Sequence, residues 1–310
     1  MDICYDGKRK DITFCTILFH MPTQKSFNSL KGMDRNFQNF YLPSLKKMIQ
    51  ALKRVAIWCD KETADFIKKE NLDAYVDMRV MDFSELPHYP EKNEWLSILH
   101  KMQATKNRGF LFYHDKTPEK WINYLILINA KPAVMDWAAN SNKFNSKYFM
   151  WMDAGAFNSM YSGVWENWDG IIRAKPERVR ITVAPTLGKS RPPFVPNFIY
   201  RLYRKCKGKI PNANRETLSK QKLVEIAMIN ADYDVPGCCF MVPSDKVHDF
   251  YNQFENVRKT MKFYELVGTE QAIFQAMMKF DTADMFELSY FHGYTGEYAA
   301  VAKEKPDYLL

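Results

Sequence analysis

Tyr148-Phe-Met-Trp-Met-Asp153-Ala-Gly155-Ala-Phe157 is the stretch on which the fold turns. An apolar run leads into one carboxylate, and small residues follow it. A short continuous apolar run bounded by a turn signal reads as a strand buried on both faces. Such a strand delivers its terminal acid to the rim of a sheet. There Asp153 can hold a divalent metal or a sugar hydroxyl, or simply start a turn. No other segment pairs so strong a strand signal with so isolated a charge.

Working outward, Ile12-Thr-Phe-Cys-Thr-Ile-Leu-Phe19 is a second β-prone run, expected to be a central parallel strand. Arg35 to Leu52 carries an apolar stripe of helical period, with Pro43 placed to break it before its second half. Val55 to Cys59 reads as a strand ending at Asp60, Lys61 to Glu70 as a short charged helix, and Asp73 to Met81 as a third strand. This β-α-β-α-β alternation predicts a parallel sheet with crossover helices. Trp95 to Gln103 and Trp121 to Asn140 read as helices, the second interrupted or kinked at Pro132. Val179 to Ala184 and Gly237 to Val242 read as further strands. Leu218 to Ile229 reads as a helix. Ser244 and Thr269 are placed to cap helices over 245–263 and 270–279. The expected class is α/β: one domain with a mostly parallel central sheet flanked by helices. Residues 1–150 and 151–310 are its two expected halves. A basic insertion lies near 187–215.

The chain has 310 residues, 46% of them hydrophobic, which is enough for a full core and excludes a disordered chain. Its net charge of +8 favours acidic partners such as phosphates or an anionic membrane surface, although a merely basic soluble protein has the same balance. The six cysteines form no CxxC and no zinc spacing, and most read as buried small apolar residues in a reducing compartment. The N-terminus lacks the apolar core of a signal peptide, and the apolar run from Trp121 to Ala139 is broken by Lys131, Pro132 and Asp136. The expected location is cytoplasmic, at most peripheral on the inner face of a membrane.

Neither GxGxxG nor GxxxxGK[ST] occurs, which argues against a dinucleotide site and a P-loop. A nucleotide can still sit at the carboxyl ends of the first strands of an open α/β sheet. The candidates there are Thr16, Phe19 and His20 after the first strand and Asp60 after the second; Asp60 reads equally as a helix N-cap. His292, in Phe291-His-Gly-Tyr-Thr-Gly296, would complete a mixed nitrogen and oxygen site with Asp153 for a Mn²⁺-like ion, or be a loop histidine. Glu270 and Gln271 set an acid and an amide at a helix start. They can touch sugar hydroxyls or serve in catalysis, or satisfy the helix dipole. Lys131, in an otherwise apolar helix, either snorkels to the surface or points at an anion. In 191–209 aromatic residues alternate with Arg and Lys, as in a segment docking on anionic lipid or a flap over a phosphorylated substrate; a solvated surface insertion has the same pattern. No nucleic-acid module is visible, and no nucleic acid partner is expected.

Tyr124-Leu-Ile-Leu-Ile-Asn-Ala-Lys131-Pro, then Asn140, Phe144-Asn-Ser-Lys-Tyr-Phe149 and Trp151-Met-Asp153-Ala-Gly155 together resemble the HtrL-like bacterial glycosyltransferases. The resemblance runs loosely over residues 12–300 and is most specific over 124–155. It implies a GT-A-type fold and a sugar-nucleotide donor, a UDP-sugar. In such folds an Asp-x-Asp holds the metal that bridges the diphosphate, whereas Asp153-Ala154-Gly155 has one acid. His292-Gly293 is similar to the C-terminal His-Gly that completes the metal site of glycogenin-like transferases. By resemblance, Asp153 becomes a metal (Mn²⁺ or Mg²⁺) or donor-sugar ligand. Lys131 becomes a diphosphate or sugar contact, and Glu270 with Gln271 line the sugar and acceptor side. The implied reaction builds a surface glycan, lipopolysaccharide or capsule, on a glycan or glycolipid acceptor. Two other readings stand beside it. One is a polyanion- or membrane-binding module of the same fold. The other is a sugar nucleotidyltransferase, which the lack of a glycine-rich phosphate loop disfavours.

Overall fold

The computed structural model describes residues 11–21, 36–104, 118–159, 176–185, 233–234, 237, 239–279 and 285–290. The strands are β1 Ile12–Leu18, β2 Val55–Cys59, β3 Val76–Val80, β4 Tyr148–Met152, β5 Val179–Pro185, β6 Tyr233–Asp234, β7 Cys239–Pro243 and β8 Phe286–Tyr290. They form one sheet in the order β3-β2-β1-β4-β7-β5-β6, with β8 paired to β5. Strands β1 to β4 are mutually parallel, β5 and β8 run the same way, and β7 and β6 run against them. The α/β class and the mostly parallel central sheet expected from the sequence are present. Every residue of β1 is buried, as a strand covered on both faces requires, whereas β3 at the edge turns Arg79 and Val80 to solvent.

The helices are α1 Leu42–Leu52, α2 Lys61–Lys69, α3 Lys92–Ala104, α4 Pro118–Asn129, α5 Lys131–Ser141, α6 Ala156–Ser159, α7 Val247–Phe263 and α8 Glu270–Lys279. On one face, α1, α2 and α6 pack against Phe14, Ile57 and Met150. The buried stripe of α1 (Leu42, Leu45, Met48, Ile49, Leu52) has the i, i+3, i+4, i+7 spacing of one helix face. The other face is larger: α3, α4, α5, α7 and α8 cover Cys15, Ala56, Trp151 and Phe240. There the buried side chain of Arg258 donates to Glu91 and Glu255, fastening the short turn Tyr89–Glu91 to α7. Cys15 and Cys59 are buried free thiols, and burial pushes both up, Cys59 to about 12, so neither is a nucleophile at neutral pH.

Some expected elements are placed differently. The helix expected over 35–52 is a π-helical turn, Phe37–Tyr41, followed by α1, with Pro43 in the first turn of α1. The helix expected over 121–140 is two helices, α4 and α5, meeting at Ala130. Pro132 has no N–H to offer the carbonyl of Ile128, so a new first turn starts there. Ser244 caps nothing: it opens a 3₁₀ turn, Ser244–Lys246, before α7. Among the described residues no helix is long and apolar enough to cross a membrane. The insertion near 187–215, the segment 191–209 and the helix expected over 218–229 lie outside the described residues.

Candidate active site

Strand order locates the crevice. From β1 the chain passes through α1 to β2 and through α2 to β3, always on one face. It then returns over the other face through α3, α4 and α5 and enters β4 on the far side of β1. The order therefore reverses between β1 and β4. Crevices at such a reversal, at the carboxyl ends of the strands, are where open α/β sheets take their ligands. β1 and β4 are parallel, so His20 beyond β1 and Asp153 beyond β4 emerge on this rim.

Asp153 leaves the sheet into a turn closed by the Ala156 N–H on its carbonyl, at 2.9 Å. The next residues are stitched to the π-turn and α1. Phe157 N–H donates to Ser44 Oγ at 3.0 Å, and Asn158 Nδ2 donates to the Phe40 carbonyl at 2.6 Å. Gly155 is required by this closeness, since a Cβ there would lie 2.8 Å from Phe40 Cε1 and 3.0 Å from Tyr41 Cε1.

Lys131 organises the site. The break at Ala130 makes it the first residue of α5, and its side chain runs inward, leaving the residue 4% exposed. Its three N–H groups meet three acceptors: Asp153 Oδ1 at 3.0 Å, Glu270 Oε1 at 2.7 Å and the Gly237 carbonyl at 2.7 Å. Of the two alternatives open for Lys131, it points at anions, and those anions belong to the protein. Trp151 adds a fourth wall: its indole N–H donates to Asp153 Oδ1 at 2.8 Å, and the ammonium stands 5.3 Å from its ring centre. Glu270, 2% exposed, opens α8, where the helix dipole favours its charge. It approaches so closely that a Cβ on Gly237 would come 2.7 Å from its Cδ, and nearer still to Oε1. Asn129 holds the turn that presents Glu270: buried on α4, it donates Nδ2 to the Gly268 carbonyl at 3.0 Å.

Burial opposes charge on Lys131, but the Asp153 and Glu270 charges and hydrogen bonds outweigh it and raise its pKa, so the amine is an ammonium at any physiological pH. Burial raises the pKa of Glu270, the Lys131 charge and hydrogen bond pull it down, and the net direction is up. With both carboxylates ionised the cluster carries one net negative charge. It faces outward at Asp153, whose side chain is 43% exposed and whose Oδ2 has no hydrogen bond among the described residues.

The first two strands contribute a second, more exposed group. Asp60 is the N-cap of α2, accepting from Thr63 N–H at 2.8 Å, as its alternative reading had it; its other oxygen accepts the His20 N–H at 2.5 Å. The His20 ring stacks on Phe37 of the π-turn, with centroids 4.4 Å apart, and its Nδ1 lies 2.6 Å from Glu62 Oε2. Gln38 Nε2 donates to the other Glu62 oxygen at 2.7 Å. The side chains of Thr16 and Phe19 do not reach the rim: Thr16 is buried with no partner for its hydroxyl among the described residues, and Phe19 packs edge-on against Phe83. Gln271 is half-buried in the first turn of α8. His292 lies outside the described residues, so its pairing with Asp153 has no geometry to report. Gly237, Phe37 and Glu62 are site residues that the sequence does not single out, and Trp151 stands in it only within the motif of the resemblance. Gly237 alone carried a signal, as a glycine opening an apolar strand.

Of the two residues expected to hold the divalent ion implied by the resemblance, Asp153 and His292, only Asp153 is among the described residues. No group of three His, Cys, Asp or Glu among them is arranged to hold a metal, and Asp153 Oδ1 already accepts from Lys131 and Trp151.

No family model and no curated protein matches the chain. Among solved structures, mouse xyloside xylosyltransferase 1 in its apo form is similar at 10% identity, covering 95% of this chain and 94% of that one, with a TM-score of 0.39. Core-mannan synthase A from Aspergillus fumigatus, in a Mn/GDP form, is similar at 8% identity over 90% of this chain and 72% of that one, with a TM-score of 0.41. Likenesses this distant say nothing of this chain's ligands.

Proposed function

We propose that the chain is a glycosyltransferase of the HtrL-like kind, moving a sugar from a nucleotide-sugar donor to a surface-glycan acceptor. The carrying observation is Asp153. It is a half-exposed carboxylate at the strand-order reversal, with one oxygen fixed by Lys131 and Trp151 and the other without a hydrogen bond among the described residues. A carboxylate so held is suited to accept a sugar hydroxyl. In the reaction the bond between the anomeric carbon and the phosphate oxygen breaks, and the nucleoside diphosphate leaves with the electron pair. The acceptor hydroxyl oxygen bonds to that carbon, and its proton passes to the departing diphosphate or to water. Positive charge gathers on the sugar ring meanwhile, as in glycoside hydrolysis. The net negative charge presented at Asp153 complements that charge, and its rigid support means it needs no reorientation as the charge develops. Glu270 is too buried to touch a sugar, and in this reading it positions Lys131. No step is assigned to a metal.

The donor is a UDP-sugar and the acceptor a lipopolysaccharide or capsule glycan on the resemblance alone. So too is a peripheral position on the inner membrane face, with 191–209 as its contact. A thermal-shift panel of nucleotides and sugar nucleotides tests the donor class, since ligands that bind only the folded state raise its melting temperature. A UDP-sugar is expected to raise it and to be slowly hydrolysed. Asp153→Asn is expected to lower transfer on the order of 100-fold, the usual loss when one electrostatic partner of a transition state is removed. Unchanged transfer by that variant overturns the site, and no response to any sugar nucleotide overturns the function.

A further inference from the structure

Three oxygens converge where the Lys131 ammonium sits: Asp153 Oδ1 at 3.0 Å, Glu270 Oε1 at 2.7 Å and the Gly237 carbonyl at 2.7 Å. Two carboxylates and a backbone carbonyl are the donors that a hard divalent cation collects. Here the point of convergence is filled by a cation on a tether. We infer that Lys131 is the resident countercation of this carboxylate pair: while it is in place Asp153 and Glu270 take up no divalent ion, and its removal uncovers a divalent-cation site.

Three features beyond the acidic pair carry this. The lysine is 4% exposed with every N–H engaged, so it is built into the position rather than swung there from the surface. Its pocket depends on a glycine: any side chain at Gly237 would displace Glu270, and the carbonyl of that same residue is the third oxygen. The ammonium also stands beside the one Asp153 oxygen that faces inward, so a divalent ion shared with Glu270 would have to occupy the same space. In this arrangement a covalently attached charge stands where a dissociable one would otherwise sit between the two carboxylates. The inference holds whether or not the chain transfers a sugar, and its test contains no sugar donor.

Trp151 supplies the readout. Its indole nitrogen is 2.8 Å from Asp153 Oδ1, so a Tb³⁺ ion bound at Asp153 is excited through this tryptophan and luminesces. Wild-type protein is expected to show no Tb³⁺ emission that Asp153→Asn abolishes. Lys131→Met, which keeps the stem and drops the charge, is expected to bind Tb³⁺ on the order of 100-fold more tightly than wild type. That figure follows from the one to three pKa units, roughly 10- to 1,000-fold, by which a neighbouring charge shifts such a group. Ca²⁺ is expected to raise the melting temperature of Lys131→Met and leave wild type unmoved. Emission from wild type that is lost in Asp153→Asn overturns the inference, as does a folded Lys131→Met that binds no more tightly than wild type. If Lys131→Met does not fold, the wild-type and Asp153→Asn comparison decides alone: no Asp153-dependent emission supports the inference, and its presence overturns it.

Discussion

Replacing Glu270 by methionine strands a buried ammonium. Lys131 would keep the Gly237 carbonyl and the half-exposed Asp153, but lose its closest and best-shielded countercharge. Breaking a buried ion pair from one side costs about 3–5 kcal/mol. The remaining Asp153 contact puts this change at the low end, near ~3 kcal/mol. Lys131→Met leaves Glu270 buried beside Asp153, and Glu270 escapes part of the penalty by taking a proton, which burial already favours. That change too is expected near ~3 kcal/mol. The double variant removes both charges and leaves Asp153 partly solvated, so its cost is expected to be about 1 kcal/mol, because replacing both members of a buried pair by apolar groups is often close to neutral. The coupling is then roughly 5 kcal/mol, far outside the ~0.5 kcal/mol within which independent changes add. The assay is urea unfolding of wild type, both single variants and the double variant at neutral pH. Two single effects that add in the double variant would refute the idea that Lys131 and Glu270 act as a pair.

Gly237→Ala drives a Cβ into the Glu270 carboxylate, and is expected to destabilise by about 3 kcal/mol through overpacking and the displaced ion pair, read as an early urea midpoint with unchanged slope. His88 is buried, and burial followed by the Arg258 charge pushes its pKa down to about 4, so it folds neutral. An unfolded histidine binds its proton near pH 6.5, so stability is expected to fall as pH drops from about 6.5 towards 4, and His88→Phe should flatten that part of the profile. Glu91, held by Arg258 and Lys262 down to about 2 against its own burial, contributes stability above its unfolded pKa that is lost as pH falls towards 2. Thr16→Val removes a buried hydroxyl that has no partner among the described residues, and is expected to leave stability unchanged or raise it by about 1 kcal/mol; a clear loss would mean that this hydroxyl is engaged.

Local signals carried the frame of the fold. The apolar runs at 12–19, 55–59 and 148–152 are central strands because strands buried on both faces leave no room for polar alternation. Pro43 and Pro132 marked helix starts because a missing N–H acts within one turn. Asp153, Lys131 and Glu270 could be named singly, but their association spans 139 residues between Lys131 and Glu270, and no local pattern encodes it. Where Lys131 would point depended on where α4 stopped. A continuous helix through Ala130 would present residue 131 about 100° per residue further round the axis, whereas the break restarts the count. Asp60 has two jobs, and the sequence displays the local one, the cap, while the bond to the His20 backbone is a property of strand pairing. Ser244 had the right chemistry for a cap but is itself the first residue of a 3₁₀ turn, where the carbonyl partners shift by one.

The π-turn Phe37–Tyr41 has a consequence for insertions and deletions. A π-turn holds one residue more than the α-helical turn it replaces. Deleting Asn39 would let the segment run into α1 as one continuous helix, with Leu45, Met48 and Ile49 still seated against the sheet. Everything before the deletion would rotate by about 100° and slide by about 1.5 Å. Phe37 would then turn away from His20, and its stacking partner at the crevice would be gone although no core contact of α1 had changed. Chain length at this turn is therefore a variable in its own right: a one-residue change re-aims one wall of the crevice and leaves the scaffold alone.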